Sequence, residues 1–157
     1  MTGDLNPSIR NSAMTLRPIG VVHNGISETR RHGWREVVST IVVDEALTAA
    51  LESLEECSHL IVLYWMHRLP AGRRRPLRVH PGGHPELPLV GRFATRSPSR
   101  PNPIGQATVS LLARSANVLT VKGLDAIEGT PVLDIKPYIP KHDAASDVRV
   151  PPWLSSL

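Results

Sequence analysis

The segment between residues 93 and 105, which reads FATRSPSRPNPIG, combines fixed positive charge with a stiff backbone. Each of its three prolines fixes its own φ angle and holds the preceding residue in extended geometry. This stiffness lowers the entropic cost of presenting Arg96, Arg100 and Asn102 to a ligand. Gly105 then lets the chain turn, or lets a ligand approach the backbone. The segment predicts a rigid binding loop; the alternative is a loop with a purely structural role.

Positive charge is concentrated in further segments of the chain. The formal net charge is +4, and arginines cluster near residue 30, between 68 and 78, and between 92 and 100. The segment 66–89 holds five arginines together with five prolines and three glycines. Arg73, Arg74, Arg75 and Arg78 cannot all be buried without partners, because an unpaired buried charge is too costly. We expect them to face solvent and to contact phosphates; a merely solvated basic surface is the alternative.

Composition limits the class of protein. The 157 residues fit one domain, and 41% hydrophobic with 20% charged residues indicates a globular chain. A single cysteine, Cys57, excludes an internal disulfide and a cysteine zinc site. No apolar run approaches the roughly 20 residues that span a bilayer, and the N-terminus lacks the apolar core of a secretory signal. We therefore expect a cytoplasmic protein. His80, His84 and Glu86 match no standard zinc spacing, so no metal site is predicted.

The hydrophobic pattern predicts a mainly β protein. Apolar and β-branched runs predict seven strands, at 16–23, 37–43, 60–65, 90–95, 106–113, 118–124 and 131–135. The run LIVLYW at 60–65 lacks alternation, which is typical of a strand buried on both faces. One helix, capped by Asp44, presents a single apolar face that would cover a sheet. Parallel strands need crossover helices that the chain lacks, so we predict a small single-sheeted antiparallel β-barrel with one short covering helix. Residues 1–14 are expected to form a mobile tail and residues 15–157 the barrel domain.

Three segments together carry a resemblance to a known family. They read GRFATRSPSRPNPIG (91–105), GLDAIEGTPVLDIKPY (123–138) and HLIVLYWMHR (59–68). They closely resemble the TrmO (TsaA-like) family of methyltransferases, and the likeness extends over about residues 16–138. It implies a β-barrel that forms a homodimer, binds S-adenosyl-L-methionine and methylates the N6 of threonylcarbamoyladenosine beside the anticodon of certain tRNAs. Methyl transfer to a small metabolite and a non-catalytic RNA-binding barrel are the alternatives.

The resemblance also implies functional residues. The positions that match the family's cofactor-binding segments are Arg31, His32, Gly33, His67, Arg96, Gly105, Gln106, Lys122, Gly123, Leu124 and Asp125. Arg96 suits a cofactor carboxylate, and Asp125 suits ribose hydroxyls or the amino group, although an aspartate can also satisfy turn amides. Substrate contacts are expected from six basic or polar residues, Arg73, Arg74, Arg75, Arg100, Asn102 and Lys136.

The expected methyl acceptor requires a base. A carbamoylated N6 shares its lone pair with a carbonyl group and is a weak nucleophile, so its proton must leave. His67 and Asp134 are the candidate bases, and Tyr138 is a candidate hydrogen-bond donor to the substrate. The choice between the two bases stays open. His67 is alternatively an ordinary residue at a strand end, and Asp134 alternatively pairs with Lys136 on one face of a strand.

Overall fold

Eight strands occur in the part of the chain that the computed structural model describes, residues 14–30, 32–70 and 77–156. They are β1 (Gly20–His23), β2 (Val38–Val43), β3 (His59–Trp65), β4 (Arg78–Val79), β5 (Val90–Gly91), β6 (Ile104–Ser115), β7 (Val118–Lys122) and β8 (Pro131–Pro137). Six of them close into an antiparallel barrel in the order β1, β2, β7, β6, β3, β8, while β4 and β5 pair with each other. The prediction of a mainly β protein with a small antiparallel barrel is confirmed.

The barrel core consists of alternate residues from each strand. In β3, Leu60, Val62 and Tyr64 point inward and are buried. The three residues between and after them are only partly buried: Ile61, Leu63 and Trp65. The prediction that this strand is buried on both faces is therefore wrong. No alternation is visible in the residues of this strand because the outward positions are apolar as well, which leaves an apolar strip on the outside of the barrel.

The predicted covering helix is present but is divided into two 3₁₀ segments. These span Glu45–Leu51 and Leu54–Glu56, and Ser53 separates them with a left-handed φ of 63°. Asp44 caps the first segment, since its side chain accepts a hydrogen bond from the amide of Ala46 at 3.0 Å. Leu51 is buried in the core and Leu54 packs against it. A short α-helix, α1 (Pro140–Asp143), follows β8.

Two predicted strands are shorter than expected. Only Gly20–His23 of residues 16–23 is a strand, because Pro18 has no amide proton for a ladder. Of residues 90–95, only Val90–Gly91 pairs, since the chain then enters a 3₁₀ turn at Arg92–Ala94. The amide and the hydroxyl of Thr95 both donate to the Arg92 carbonyl oxygen, at 3.1 and 2.9 Å, and close that turn.

The antiparallel order creates two distinct ends of the barrel. At one end β1, β3 and β7 finish while β2, β6 and β8 begin, and this end, with its loops 24–37, 66–103 and 123–130, is called the site rim. The opposite end, called the far rim, carries the 3₁₀ segments of residues 45–56. No helix within the described ranges is long and apolar enough to cross a membrane. Residues 1–13 lie outside the described residues and Met14 is exposed, so the mobile tail stays a prediction.

Candidate functional site

Tyr64 and Gly105 form the inner wall of the site rim. They are directly opposite each other in the β3–β6 ladder, and Tyr64 is only 5% exposed. A Cβ atom on Gly105 would lie 2.8 Å from the Tyr64 hydroxyl and still closer to two ring carbons. Only glycine leaves room for the ring at this place. Gly105 was predicted from the resemblance, whereas Tyr64 was missed, although a tyrosine inside an otherwise apolar strand was a visible signal.

Two predicted cofactor residues of opposite charge act on this tyrosine. Burial raises the pKa of Tyr64 well above its ordinary value, the negative charge of Asp125 raises the pKa further, and the positive charge of Arg96 lowers it. The two charges therefore influence this tyrosine electrostatically, although the three residues come from three different segments. Part of Asp125 is open to solvent, yet desolvation of its carboxyl group raises the pKa of Asp125. Arg96 is exposed at the edge of the same rim.

His67 lies just after the end of β3, on the site rim. Its Nδ1 is buried and has no hydrogen-bond partner within the described part of the chain. Burial of the imidazole lowers the pKa of His67, and the charge of neighbouring Arg68 lowers it further. The Arg68 guanidinium donates to the carbonyl oxygen of Ser27 at 2.7 Å and ties this turn to the loop after β1. An imidazole with a lowered pKa and an unsatisfied nitrogen is thus held on the site rim.

Glu128 fastens the loop after β1 to the loop before β8. Its carboxylate accepts hydrogen bonds from the amides of Asn24 and Gly25 at 2.6 and 2.8 Å, and it pairs with Nδ1 of His23 at 2.7 Å. The Asn24 side chain donates to the carbonyl oxygen of Ala126 at 2.8 Å. The bonds to the carboxylate itself, led by those from the amides of Gly25 and Asn24, lower the pKa of Glu128 to about 2. The sequence did not single out Glu128, since its partners are about a hundred residues away.

Glu128→Gln is expected to flatten the pH dependence of stability in acid. The folded state lowers the pKa of Glu128 from its ordinary value of 4.5 to about 2, so its contribution is complete above pH ~4.5 and is lost as the pH falls through 2. Urea unfolding between pH 2 and 6 should show a smaller loss of unfolding free energy in the variant than in the wild type. Glu52→Gln, at an exposed position near the far rim, is the control. Equal slopes for wild type and Glu128→Gln would contradict this role.

Residues 32–37 pack on the end of β7. Gly33 has a left-handed φ of 87° and precedes the 3₁₀ turn Trp34–Glu36. Lys122 pairs with Glu36 at 2.7 Å, and the amide of Gly123 donates to the Val37 carbonyl oxygen at 2.9 Å. Lys122 therefore faces a protein carboxylate in this structure. The packing brings the predicted residues His32 and Gly33 and the predicted segment Lys122–Asp125 together on one rim. Arg31 lies outside the described residues.

Three further predicted residues, Leu124, Gln106 and Asn102, differ in whether the side chain or the backbone is accessible or bonded. Leu124 is completely buried in the core, so only its backbone is available to a ligand at the rim. Gln106 is exposed and pairs with Leu63, whose side chain faces outward. The exposed Asn102 closes the proline loop, because its carbonyl oxygen accepts from the Ile104 amide at 2.7 Å.

Four predicted residues stand apart from this cluster or carry structural bonds. Asp134 and Lys136 form an ion pair of 2.6 Å, which is the alternative that their spacing had indicated. They lie opposite Leu63 and Ile61 of β3, whose side chains face outward. Tyr138 follows β8 at the far rim, where its amide donates to the carbonyl oxygen of His59. Arg100 donates to the carbonyl oxygens of Thr95 and Ser97. Arg73, Arg74 and Arg75 lie outside the described residues, and the roles assigned to all of these stay predictions.

The described residues were also compared with the requirements of a metal site and of a ligand cavity. Among the described residues, no group of three or more histidine, cysteine, aspartate or glutamate side chains is arranged to hold a metal ion. His84 instead bonds Glu86, and His80 bonds the Leu87 carbonyl oxygen, each at 2.8 Å. A shallow depression of about 270 Å³ lies at the far rim beside Gly20 and Val43, and no predicted site residue lines it.

Comparison with known proteins agrees with the barrel fold. The pattern of the tRNA-methyltransferase O N-terminal domain matches residues 28–144. A probable S-adenosyl-L-methionine-binding protein of Pyrococcus abyssi is 38% identical over 143 residues, which cover 88% of this chain and 74% of that protein. An S-adenosyl-L-methionine-binding protein of Archaeoglobus fulgidus is 42% identical over 140 residues, which cover 87% of this chain and 97% of that protein.

The crystal structure of TrmO from Pseudomonas aeruginosa is similar to the barrel with a TM-score of 0.72 at 32% identity. The alignment covers 90% of this chain and 62% of the solved one, so this chain spans less than two thirds of its length. The fold and these similarities together define a β-barrel domain of the class of S-adenosyl-L-methionine-dependent methyltransferases. Within that class the chain belongs to the TrmO family, and the membership predicted from the three segments is confirmed.

Proposed function

We propose that this chain transfers a methyl group from S-adenosyl-L-methionine to the N6 of threonylcarbamoyladenosine beside the anticodon of a tRNA. The observation that carries the proposal is the convergence of Arg96, Asp125, His67 and Tyr64 on one rim of the barrel. The family and the names of the relatives support the cofactor. A tRNA substrate also implies a cytoplasmic location, which is part of the proposal.

The residues at the rim fit the cofactor. S-Adenosyl-L-methionine supplies an activated methyl group on a sulfonium, and it carries a carboxylate and an ammonium group. No ion pair engages the exposed guanidinium of Arg96 among the described residues, and it suits the carboxylate through charge-assisted hydrogen bonds. Asp125, whose carboxyl is partly desolvated, suits hydroxyl or ammonium donors. The buried Nδ1 of His67 would gain the partner that it lacks in the free protein.

His67 is the base that the rim geometry favours. It belongs to the same rim as Arg96 and Asp125, whereas Asp134 is engaged by Lys136 and by the amide of Ile135. Its lowered pKa keeps the imidazole neutral near pH 7, so the ring can accept a proton from the acceptor nitrogen. A lowered pKa also makes it a weaker base. Positioning of the acceptor in line with the methyl group must therefore supply much of the rate.

Nucleoside mass spectrometry tests the proposed reaction. Purified protein is incubated with tRNA that carries threonylcarbamoyladenosine and with isotopically labelled S-adenosyl-L-methionine, and the tRNA is digested and analysed. The proposal requires a labelled methyl group on this nucleoside. Binding of the cofactor without any labelled nucleoside would favour a small-metabolite acceptor, while binding of RNA without binding of cofactor would favour a non-catalytic barrel.

We also propose a homodimer that covers the apolar strip on the outside of β3. Ile61, Leu63 and Trp65 face outward, and Ile104, which pairs with Trp65, is 39% exposed. Outward positions of a solvated barrel are ordinarily polar, and a contiguous apolar surface marks an interaction site.

Light scattering at micromolar concentration is expected to give twice the monomer mass. Ile61→Glu should reduce the mass to that of a monomer, because the new charge would be buried between two copies of the strip. Thr108→Glu, on the neighbouring strand and already exposed, is the matched charge control. A monomeric wild type, or a dimer that Ile61→Glu leaves intact while folded, would refute the dimer through this strip.

A further inference from the structure

Phe93 is an exposed aromatic residue on the site rim. It is the only phenylalanine in the chain, and 77% of it is exposed. It occupies the middle of the 3₁₀ turn Arg92–Ala94, directly after β5. Arg92 on one side of it is buried, so the turn is anchored in the protein while the phenyl ring points to solvent. The phenyl side chain, of a type that is usually buried, is thus exposed to solvent three residues before Arg96.

The ring is supported from one side by an arginine. The Arg100 guanidinium carbon lies 5.6 Å from the ring centroid, within the range of a cation–π contact. Arg100 is itself held in place, since Nη1 donates to the carbonyl oxygens of Thr95 and Ser97 at 2.7 and 3.3 Å. The Ser97 amide bonds the Thr95 hydroxyl at 3.2 Å and stiffens the same turn. The second side of the ring can therefore receive a planar ligand with little loss of conformational entropy.

The charge around the ring specifies what kind of planar ligand fits. Arg96, and Arg78 of β4, are both exposed in the segment between β3 and β6, and the whole chain carries a net charge of +4. Unpaired RNA bases are recognised by stacking on aromatic and arginine planes, while nearby cations contact the phosphates. We propose that Phe93, backed by Arg100, is a stacking platform for an unpaired base of an RNA loop. This inference rests on the proposed function, because it assigns part of the substrate contact to this chain.

Binding of an RNA stem-loop tests the platform. The probe is a 17-nucleotide anticodon-type stem-loop that carries 2-aminopurine at one loop position at a time. Phe93→Ala is expected to weaken binding by about 5- to 150-fold, the range for the loss of one base–aromatic stack, whereas Phe93→Trp retains the affinity. The salt dependence should be unchanged, because no phosphate contact is lost. At one loop position the wild type should quench 2-aminopurine fluorescence, and Phe93→Leu, apolar but unable to stack, should not.

Leu112→Ala is the matched control, since Leu112 is 51% exposed in the part of β6 beyond its pairing with β3. Equal affinity and quenching for the wild type and Phe93→Leu would overturn the platform while leaving the proposed function intact. A change from dimer to monomer in Phe93→Ala would overturn it too, because the ring would then be covered by a second copy of the chain. If the wild type binds no RNA and methylates no tRNA, the proposed function fails and the platform fails with it.

Discussion

Gly105→Ala is expected to destabilise the protein by about 1–3 kcal/mol, the usual cost of forcing extra volume into a packed place. The added Cβ would collide with the Tyr64 ring, which is buried at the inner wall of the rim. A glycine replaced by alanine at a compatible position normally stabilises by about 0.4–1 kcal/mol. The collision therefore reverses the sign of the ordinary effect, and thermal or urea unfolding will show it. For a chain of this size, each kcal/mol corresponds to a shift in Tm of about 2–4 °C.

Gly91→Ala is the matched control for this prediction. Gly91 has a negative φ of −59°, and an added Cβ would meet nothing within 4 Å. It should be neutral or slightly stabilising. Adding Tyr64→Leu to Gly105→Ala should recover part of the loss, with a coupling energy of about 0.5–3 kcal/mol in the double-mutant cycle. Unchanged stability of Gly105→Ala, or a purely additive cycle, would show that the ring moves aside freely.

The closed barrel was predictable because β-branched runs separated by turn residues leave few alternatives. The details that depend on contacts between distant segments were not predictable from the sequence. The helical spacing after Asp44 gave one apolar face correctly, yet Ser53 takes a left-handed conformation and the segment divides into two 3₁₀ pieces. The spacing of apolar residues does not distinguish a continuous helix from two short turns that bury the same leucine.

In the candidate site, too, some residues were predictable one by one, while the roles of others depend on distant partners. Its loop residues were predicted because their types and stiffness, or their match to a family, identify them one by one. Tyr64 and Glu128 were not, since their roles come from pairing across the chain, with Gly105 in a ladder and with the amides of Asn24 and Gly25. Tyr138 shows the converse: it belongs to a segment that resembles the family, but its position at the far rim depends on the direction of β8.

Arg96→Ala is expected to remove most of the stabilisation that S-adenosyl-L-methionine gives the folded protein. At a ligand concentration a hundredfold above Kd, the wild type should gain about 2.7 kcal/mol, which corresponds to a rise in Tm of about 5–11 °C. Loss of a charged hydrogen bond worth about 1.5–3 kcal/mol weakens binding about 10- to 150-fold. At the same concentration the stabilisation should then fall to about 0.3–1.4 kcal/mol. Thermal unfolding with and without cofactor measures both values.

The unliganded stability of Arg96→Ala should stay close to that of the wild type, because the residue is exposed and substitutions at such positions have small effects. Arg17→Ala, which removes an exposed arginine before β1, is the control and should keep the full rise in Tm. Arg96→Lys separates charge from shape: an ammonium keeps the charge but loses the planar fork that binds a carboxylate in two places. An intermediate shift for lysine would indicate paired hydrogen bonds to the carboxylate. A full shift in Arg96→Ala would exclude Arg96 from the cofactor site and leave its charge available to the RNA.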